Sequence, residues 1–194
     1  GRLAHFRGTY GVGSAPDNLA AVRAADVVIL AVKPQALPGV LAEIRGVMEP
    51  RHLAISIAAG VSLRRLAEGL GERPRLVRAM PNMPALVGAG ATAFCRGARA
   101  TPADAELARR LFAAAGLALE MEERHLNAVT ALSGSGPAYV FYLAEAMAQA
   151  GERLGLPPRA AAALTAATME GAGRMLRETS LPPAELRARV TSRG

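Results

Sequence analysis

Apolar residues fall into two rhythms along this chain, and the rhythm changes near residue 123. In the first part, short unbroken apolar runs recur. Asp26-Val27-Val28-Ile29-Leu30-Ala31-Val32 and Leu53-Ala54-Ile55-Ser56-Ile57 are the clearest, and residues 75–80, 89–95 and 117–122 predict three more strands. A run of β-branched and aliphatic residues without polar alternation fits a strand of a parallel sheet covered on both faces. Helical spacing fills the gaps. Residues 19–24 follow cap candidates at Ser14-Ala15-Pro16-Asp17-Asn18, and residues 36–48 carry Leu37, Val40, Leu41 and Ile44 on one side. Residues 62–70 have Ser62 as cap, and residues 101–115 open on Thr101-Pro102 with an acidic first turn at Asp104 and Glu106. Residues 3–13 show little periodicity and read as the tail of an earlier element plus a loop. Strand and helix alternating at this spacing predict βαβ units in a doubly wound parallel sheet. Such sheets take ligands at the carboxyl ends of their strands. Lys33-Pro34-Gln35, Ala58-Ala59-Gly60 and Met80-Pro81-Asn82-Met83-Pro84 each follow a strand, so that edge is the candidate site.

From residue 123 the readable elements are helical, over 124–132, 138–154, 159–178 and 183–190. The joint is Leu132-Ser133-Gly134-Ser135-Gly136-Pro137-Ala138-Tyr139. Its glycines admit backbone angles closed to other residues, Ser135 is a cap candidate, and Pro137 suits the first turn of a helix. The following helix is apolar over more than one face (Tyr139, Val140, Leu143, Met147 and Ala150, with Phe141 and Tyr142 between), which predicts burial on two sides, one of them against another subunit. Ala163, Leu164, Ala167, Gly171 and Met175 line the next helix at a spacing suited to close helix contact. The expected organisation is an α/β domain over 1–122 followed by an all-α domain over 123–194.

Composition narrows the classes. The chain has 194 residues, 51% hydrophobic and 4% aromatic, so its core is aliphatic. The net charge of +7 comes from 22 arginines and one lysine, Lys33, spread without a basic run. No groove-reading motif accompanies the charge, and a nucleic-acid partner is not expected. Cys95 is the single cysteine, which excludes an intrachain disulfide and points to a reducing compartment. The uncharged stretch over 79–95 is broken by Pro81, Pro84, Gly88 and Gly90, so no membrane span is expected there, and no secretory signal opens the chain. His5, His52 and His125 lack ligand spacing, so no metal site is expected. Gly134-Ser135-Gly136 does not fit a nucleophile elbow. Glu122 and Glu123 are adjacent and point apart, with at least one expected in solvent.

Physics alone leads to an α/β domain followed by helices. Five segments add more: Ala31-Val32-Lys33-Pro34-Gln35, Ser56-Ile57-Ala58-Ala59-Gly60-Val61, Arg78-Ala79-Met80-Pro81-Asn82-Met83-Pro84-Ala85, the Leu132 to Tyr139 joint, and Glu185-Leu186-Arg187 on to Val190-Thr191-Ser192. In order and spacing they resemble pyrroline-5-carboxylate reductases, the enzymes of the last step of proline synthesis. The resemblance implies a Rossmann-like domain holding NADPH or NADH, and a helical domain joining subunits into a homodimer or a dimer-based ring in the cytoplasm. It implies hydride transfer to the C=N carbon of 1-pyrroline-5-carboxylate, giving L-proline. By position, Ala31, Val32, Lys33 and Pro34 would line the ribose and phosphate side of the cofactor, Ile57, Ala58 and Ala59 its nicotinamide half, Asn18 the adenosine end, and Asn82 the nicotinamide ribose. Glu123, Thr191 and Ser192 would lie on the substrate side.

The departures are specific. The family's first strand and glycine fingerprint are not matched, nor is the Gly-Thr-Thr segment that would take the substrate carboxylate, so the catalytic groups are expected beyond Gly194 and this stretch alone is expected to be inactive. Arg193 stands where proline is usual and Met83 where threonine is usual. Two other readings stay open: a related NADP-dependent β-hydroxyacid or imine reductase, and a non-catalytic dimerisation module. A hydroxyacid enzyme would carry a catalytic lysine on the interdomain helix, whereas Lys33 lies on a strand-end loop.

Overall fold

The computed structural model describes residues 2–191. It opens with helix α1 (Arg2–Tyr10), exposed from Leu3 to Tyr10, where the sequence predicts a tail and a loop. Asp17 caps α2 (Asn18–Arg23) by accepting the Ala20 N–H at 2.7 Å. Then follow β1 (Val27–Leu30), α3 (Leu37–Ile44) with a 3-10 turn at Arg45–Val47, β2 (Leu53–Ser56), α4 (Leu63–Leu70) and β3 (Arg75–Met80). A 3-10 turn at Met83–Val87 leads to β4 (Gly90–Arg96), α5 (Pro102–Ala113) and β5 (Gly116–Glu120). The helical part comprises a 3-10 turn at Glu123–His125, α6 (Leu126–Val129), a π-helical turn at Thr130–Gly134, α7 (Gly136–Arg153), α8 (Pro158–Glu178) and α9 (Pro183–Val190).

The sheet order is β1-β2-β3-β4-β5. β1, β2 and β3 are parallel, but β4 runs antiparallel to β3 and β5 is parallel to β4, so the sheet is mixed. The reason is length. A parallel return needs a crossover of about a dozen residues or more, and the link between Met80 and Gly90 holds only the short 3-10 turn. At the start of the β4–β5 pair a Cβ on Gly116, whose φ is +139°, would run into the Gly90 backbone.

Strand alternation sends one set of side chains to each face. Leu30, Ala54 and Leu76 pack under α2, α3 and α4 with Leu37, Leu41, Ile44, Leu66 and Leu70. Leu53, Ile55, Val77, Ala79 and Phe94 pack on the opposite face with Ala105 and Ala108 of α5. Helices therefore cover both faces, as the unbroken apolar runs require. Cover ends where helices end: Ile29 at the β1 edge and Leu117 on β5 are about half exposed.

By packing, the chain divides into one compact unit up to Ser135 and a second from Gly136 on. In the second unit α7 and α8 pack together, with Gly151 fitting against Ala161 and Leu156. The buried residues of α8 are Ala161 and Thr165, whereas Ala163, Leu164, Ala167, Gly171 and Met175 all face out. The joint also differs from expectation. Neither Gly134 nor Gly136 has a positive φ, and the chain stays helical through it. The Thr130 and Ser133 hydroxyls donate to the carbonyls four residues back, at Leu126 and Val129, and Ser135 N–H reaches the Thr130 carbonyl at 2.8 Å, a π turn. Gly134 lies against the end of the Met80 side chain, where a Cβ would come within 2.6 Å of Met80 Cε and displace that methyl.

The start of α5 is a capping box: Asp104 N–H donates to the Thr101 hydroxyl, and Thr101 N–H donates to Asp104 Oδ2 at 2.8 Å. Arg75 of β3 donates to the same carboxylate at 2.5 Å. Burial pushes the Asp104 carboxyl up, but the Thr101 donors and the Arg75 guanidinium outweigh it and hold it below the ordinary carboxylate range. A depressed folded pKa gives stability that is complete above the unfolded value of about 3.9 and is lost as pH falls through the folded one. Asp104→Asn should lower unfolding free energy at neutral pH by roughly 1–3 kcal/mol. Denaturant melts across the acid range should show a smaller loss on acidification in the variant than in the parent.

Candidate active site at the strand ends

The pairing Leu30↔Ser56↔Arg78 closes the parallel ladder, β3 running two residues further to Met80, so the loops after β1, β2 and β3 leave one edge together. After β1, the Lys33 carbonyl accepts the Ala36 and Leu37 N–H groups and launches α3, while the Lys33 side chain is exposed and in no ion pair among the described residues. After β2, Ile57 N–H donates to the Leu30 carbonyl and Ala58 N–H to the hydroxyl of fully buried Ser56. Ala58 is buried, and Ala59 and Gly60 are exposed, with Gly60 at φ +75°. Asn18 stands at the start of α2, bonded to Glu43 of α3 at 2.8 Å. It shares a cleft of about 260 Å³ with Ile29, Ala31 and Val32 along the open side of β1.

After β3, Asn82 is half-buried and uses both ends of its amide. Its Nδ2 donates to the Ser133 carbonyl at 3.0 Å, and its Oδ1 accepts the Ala91 N–H at 2.8 Å. One side chain thus ties the third loop to the start of β4 and to the π turn.

Glu122 is exposed and pairs with Arg124, but Glu123 turns inward. Glu123 Oε1 accepts from Arg78 Nη1 at 2.9 Å and from Leu63 N–H, the first residue of α4, at 2.7 Å. Arg78 Nη2 lies 3.5 Å from Asn127 Oδ1. The Arg78 side chain is 7% exposed and Glu123 35%. Reading the sequence for motifs assigns Arg78 no role. The available signal was an arginine inside an otherwise buried strand, which demands an internal carboxylate. Beside it on β4, burial and then the Glu123 charge push the Cys95 thiol up to about 11.

Thr191 ends α9 in the second unit, exposed, its hydroxyl donating to the Arg187 carbonyl at 2.8 Å. Ser192 and Arg193 lie outside the described residues. The edge thus gathers residues 31–34, 57–59 and 82 around small, partly exposed backbone, with Glu123 anchored behind it.

A parallel strand edge with small-residue loops, followed by helices, defines a Rossmann-like protein with a helical C-terminal region. A family model described as pyrroline-5-carboxylate reductase dimerisation matches residues 123–194, and one described as NADP oxidoreductase, coenzyme F420-dependent, matches residues 1–60. A pyrroline-5-carboxylate reductase of Pseudomonas aeruginosa is 44% identical over 190 residues, covering 97% of this chain and 70% of that protein. Among solved structures, the Coxiella burnetii reductase aligns with a TM-score of 0.90 at 39% identity over 98% of this chain and 72% of its own. The Plasmodium falciparum enzyme, solved with NADP bound, aligns at 0.88 and 29% identity over 95% of this chain and 70% of its own. The chain belongs to the pyrroline-5-carboxylate reductase family.

Removing the Asn82 amide leaves a carbonyl and an N–H without their partner. Asn82→Ala should cost roughly 1–3 kcal/mol in denaturant unfolding. Because only the thiolate is nucleophilic, Cys95 should react with a disulfide reagent at neutral pH only as fast as the unit opens, and at the free-thiol rate once denatured.

Proposed function

We propose that this chain serves as a reductase converting 1-pyrroline-5-carboxylate to L-proline, the last step of proline synthesis, with the strand-end edge holding the dinucleotide. Identity of 44% over 97% of the chain carries the reading. NADPH, when bound, supplies the hydride that goes to the C=N carbon, and NADP in the Plasmodium falciparum relative supports that choice of dinucleotide.

The residues fit such a ligand. Lys33 offers an exposed cation to phosphate, with Ala31, Val32 and Pro34 beside it in the chain, and Asn18, which shares a cleft with Ala31 and Val32, is assigned to the adenosine side. Ala58, Ala59 and Gly60 add little bulk, so a flat ring can approach the backbone next to Ile57. Asn82 keeps one amide hydrogen for the nicotinamide ribose after its bond to Ser133. Glu123, Thr191 and Ser192 are assigned to the substrate side. A protonated imine is already electrophilic, so the protein's task is to hold donor and acceptor aligned, and no strong general acid is needed.

Residues 1–122 are assigned to the dinucleotide half and 123–194 to dimerisation. α7 supports a homodimer: in 18 residues it buries none, and Phe141, Tyr142 and Leu143 are all more than half exposed. An apolar helix in that state needs a partner surface. With a single cysteine and no need of an oxidising compartment, the enzyme is assigned to the cytoplasm.

The test is 1-pyrroline-5-carboxylate-dependent oxidation of NADPH by this sequence set between the flanking segments of the Pseudomonas aeruginosa relative, of which it spans 70%. Lys33→Ala should raise the KM for NADPH about tenfold, and Asn82→Ala should lower kcat/KM at least about tenfold. Absence of turnover in a folded protein would overturn the reading. Light scattering should give a dimer that Tyr142→Asp converts to monomer.

A further inference from the structure

The Ala58–Val61 loop, between β2 and α4, is held at both ends. At the near end Ile57 N–H is on the Leu30 carbonyl and Ala58 N–H on Ser56 Oγ. At the far end Leu63 N–H is on Glu123 Oε1. Between them Gly60 sits at φ +75° and Ala59 is exposed. The far anchor is only as fixed as the Glu123 carboxylate, which belongs to a different part of the chain, 60 residues downstream of Leu63. What fixes that carboxylate is Arg78, buried in β3 in register with Ser56 on one side and Cys95 on the other.

We infer that Arg78 is a positioning residue for hydride transfer: acting through Glu123, it sets the loop that forms the nicotinamide side of the site. The inference rests on the reading of Ala58 and Ala59 given above. Arg78 touches neither ligand. Its guanidinium orients the carboxylate with one nitrogen and engages Asn127 with another, so Glu123 presents Oε1 to the α4 N–H in one geometry. Without Arg78, Glu123 keeps a single backbone donor and is a third exposed, so solvent competes for it. The far end of the loop then keeps only the Ser62 cap of α4, and its tie at Leu63 loosens. Lysine keeps the charge but not the planar fork, so it restores the anchor only in part.

The test is residue-resolved amide exchange on this sequence set between the flanking segments of the Pseudomonas aeruginosa relative, with and without NADPH. In Arg78→Gln, exchange at Leu63 and at residues 59–61 should speed up about tenfold or more, while Ile55 and Val77 in the sheet keep their protection. Arg78→Lys should fall between. NADPH should slow exchange at residues 59–61 in the parent and lose that effect in Arg78→Gln, while still slowing residues around Lys33. Unchanged loop exchange in Arg78→Gln would overturn the inference. So would loss of protection across the whole sheet in both variants, which would mark Arg78 as structural only. If the parent's loop ignores NADPH while Arg78→Gln still loosens it, the dinucleotide reading itself fails, and the positioning role with it.

Discussion

Parallel register among three strands is the constraint on which the rest depends. Because β1, β2 and β3 run the same way, with Leu30, Ser56 and Arg78 in register and β3 two residues longer, three loops far apart in sequence leave one edge side by side. Parallel pairing requires crossovers, and the crossovers here are α3 and α4, whose apolar faces bury one side of the sheet. The core and the site are thus two outcomes of one arrangement. Once strand order is set, the positions of Lys33, Ala58 and Asn82 follow without further specification.

What the register leaves loose, polar side chains tighten. Asn82 spends its amide on Ser133 and Ala91, and Glu123 spends one oxygen on Arg78 and Leu63. Both bring residues 123–134 onto the strand ends, which is why packing keeps those residues with the sheet even though the dimerisation family model begins at 123. A site with little chemistry of its own needs this kind of rigidity, since alignment is its main contribution to rate.

Strands and helices of the first unit were legible because apolar runs and cap residues are local signals: Ser62 and Thr101 cap as their positions predict. The direction of β4 was not carried by its residues, although the short link before it excludes a parallel return. The π turn was invisible because the Ser135 N–H to Thr130 carbonyl bond leaves no mark in residue type, and the Thr130 and Ser133 hydroxyls that bond four residues back suit an α-helix equally well. The outward face of α8 shows the limit of periodicity, which marks an apolar stripe without saying which stripe meets α7. Loops at the strand ends could be located, but the bond between Arg78 and Glu123 spans 45 residues, and its only trace was a charge in a buried strand.

The central claim is that the ends of β1, β2 and β3 hold the dinucleotide. Amide chemical-shift mapping during an NADPH titration tests it most directly. Shifts should concentrate at residues 31–35, 57–60 and 80–84, with the opposite edge around Arg51 and His52 unmoved. Shifts centred on that opposite edge, or saturation of NADPH with the three loops silent, would contradict it.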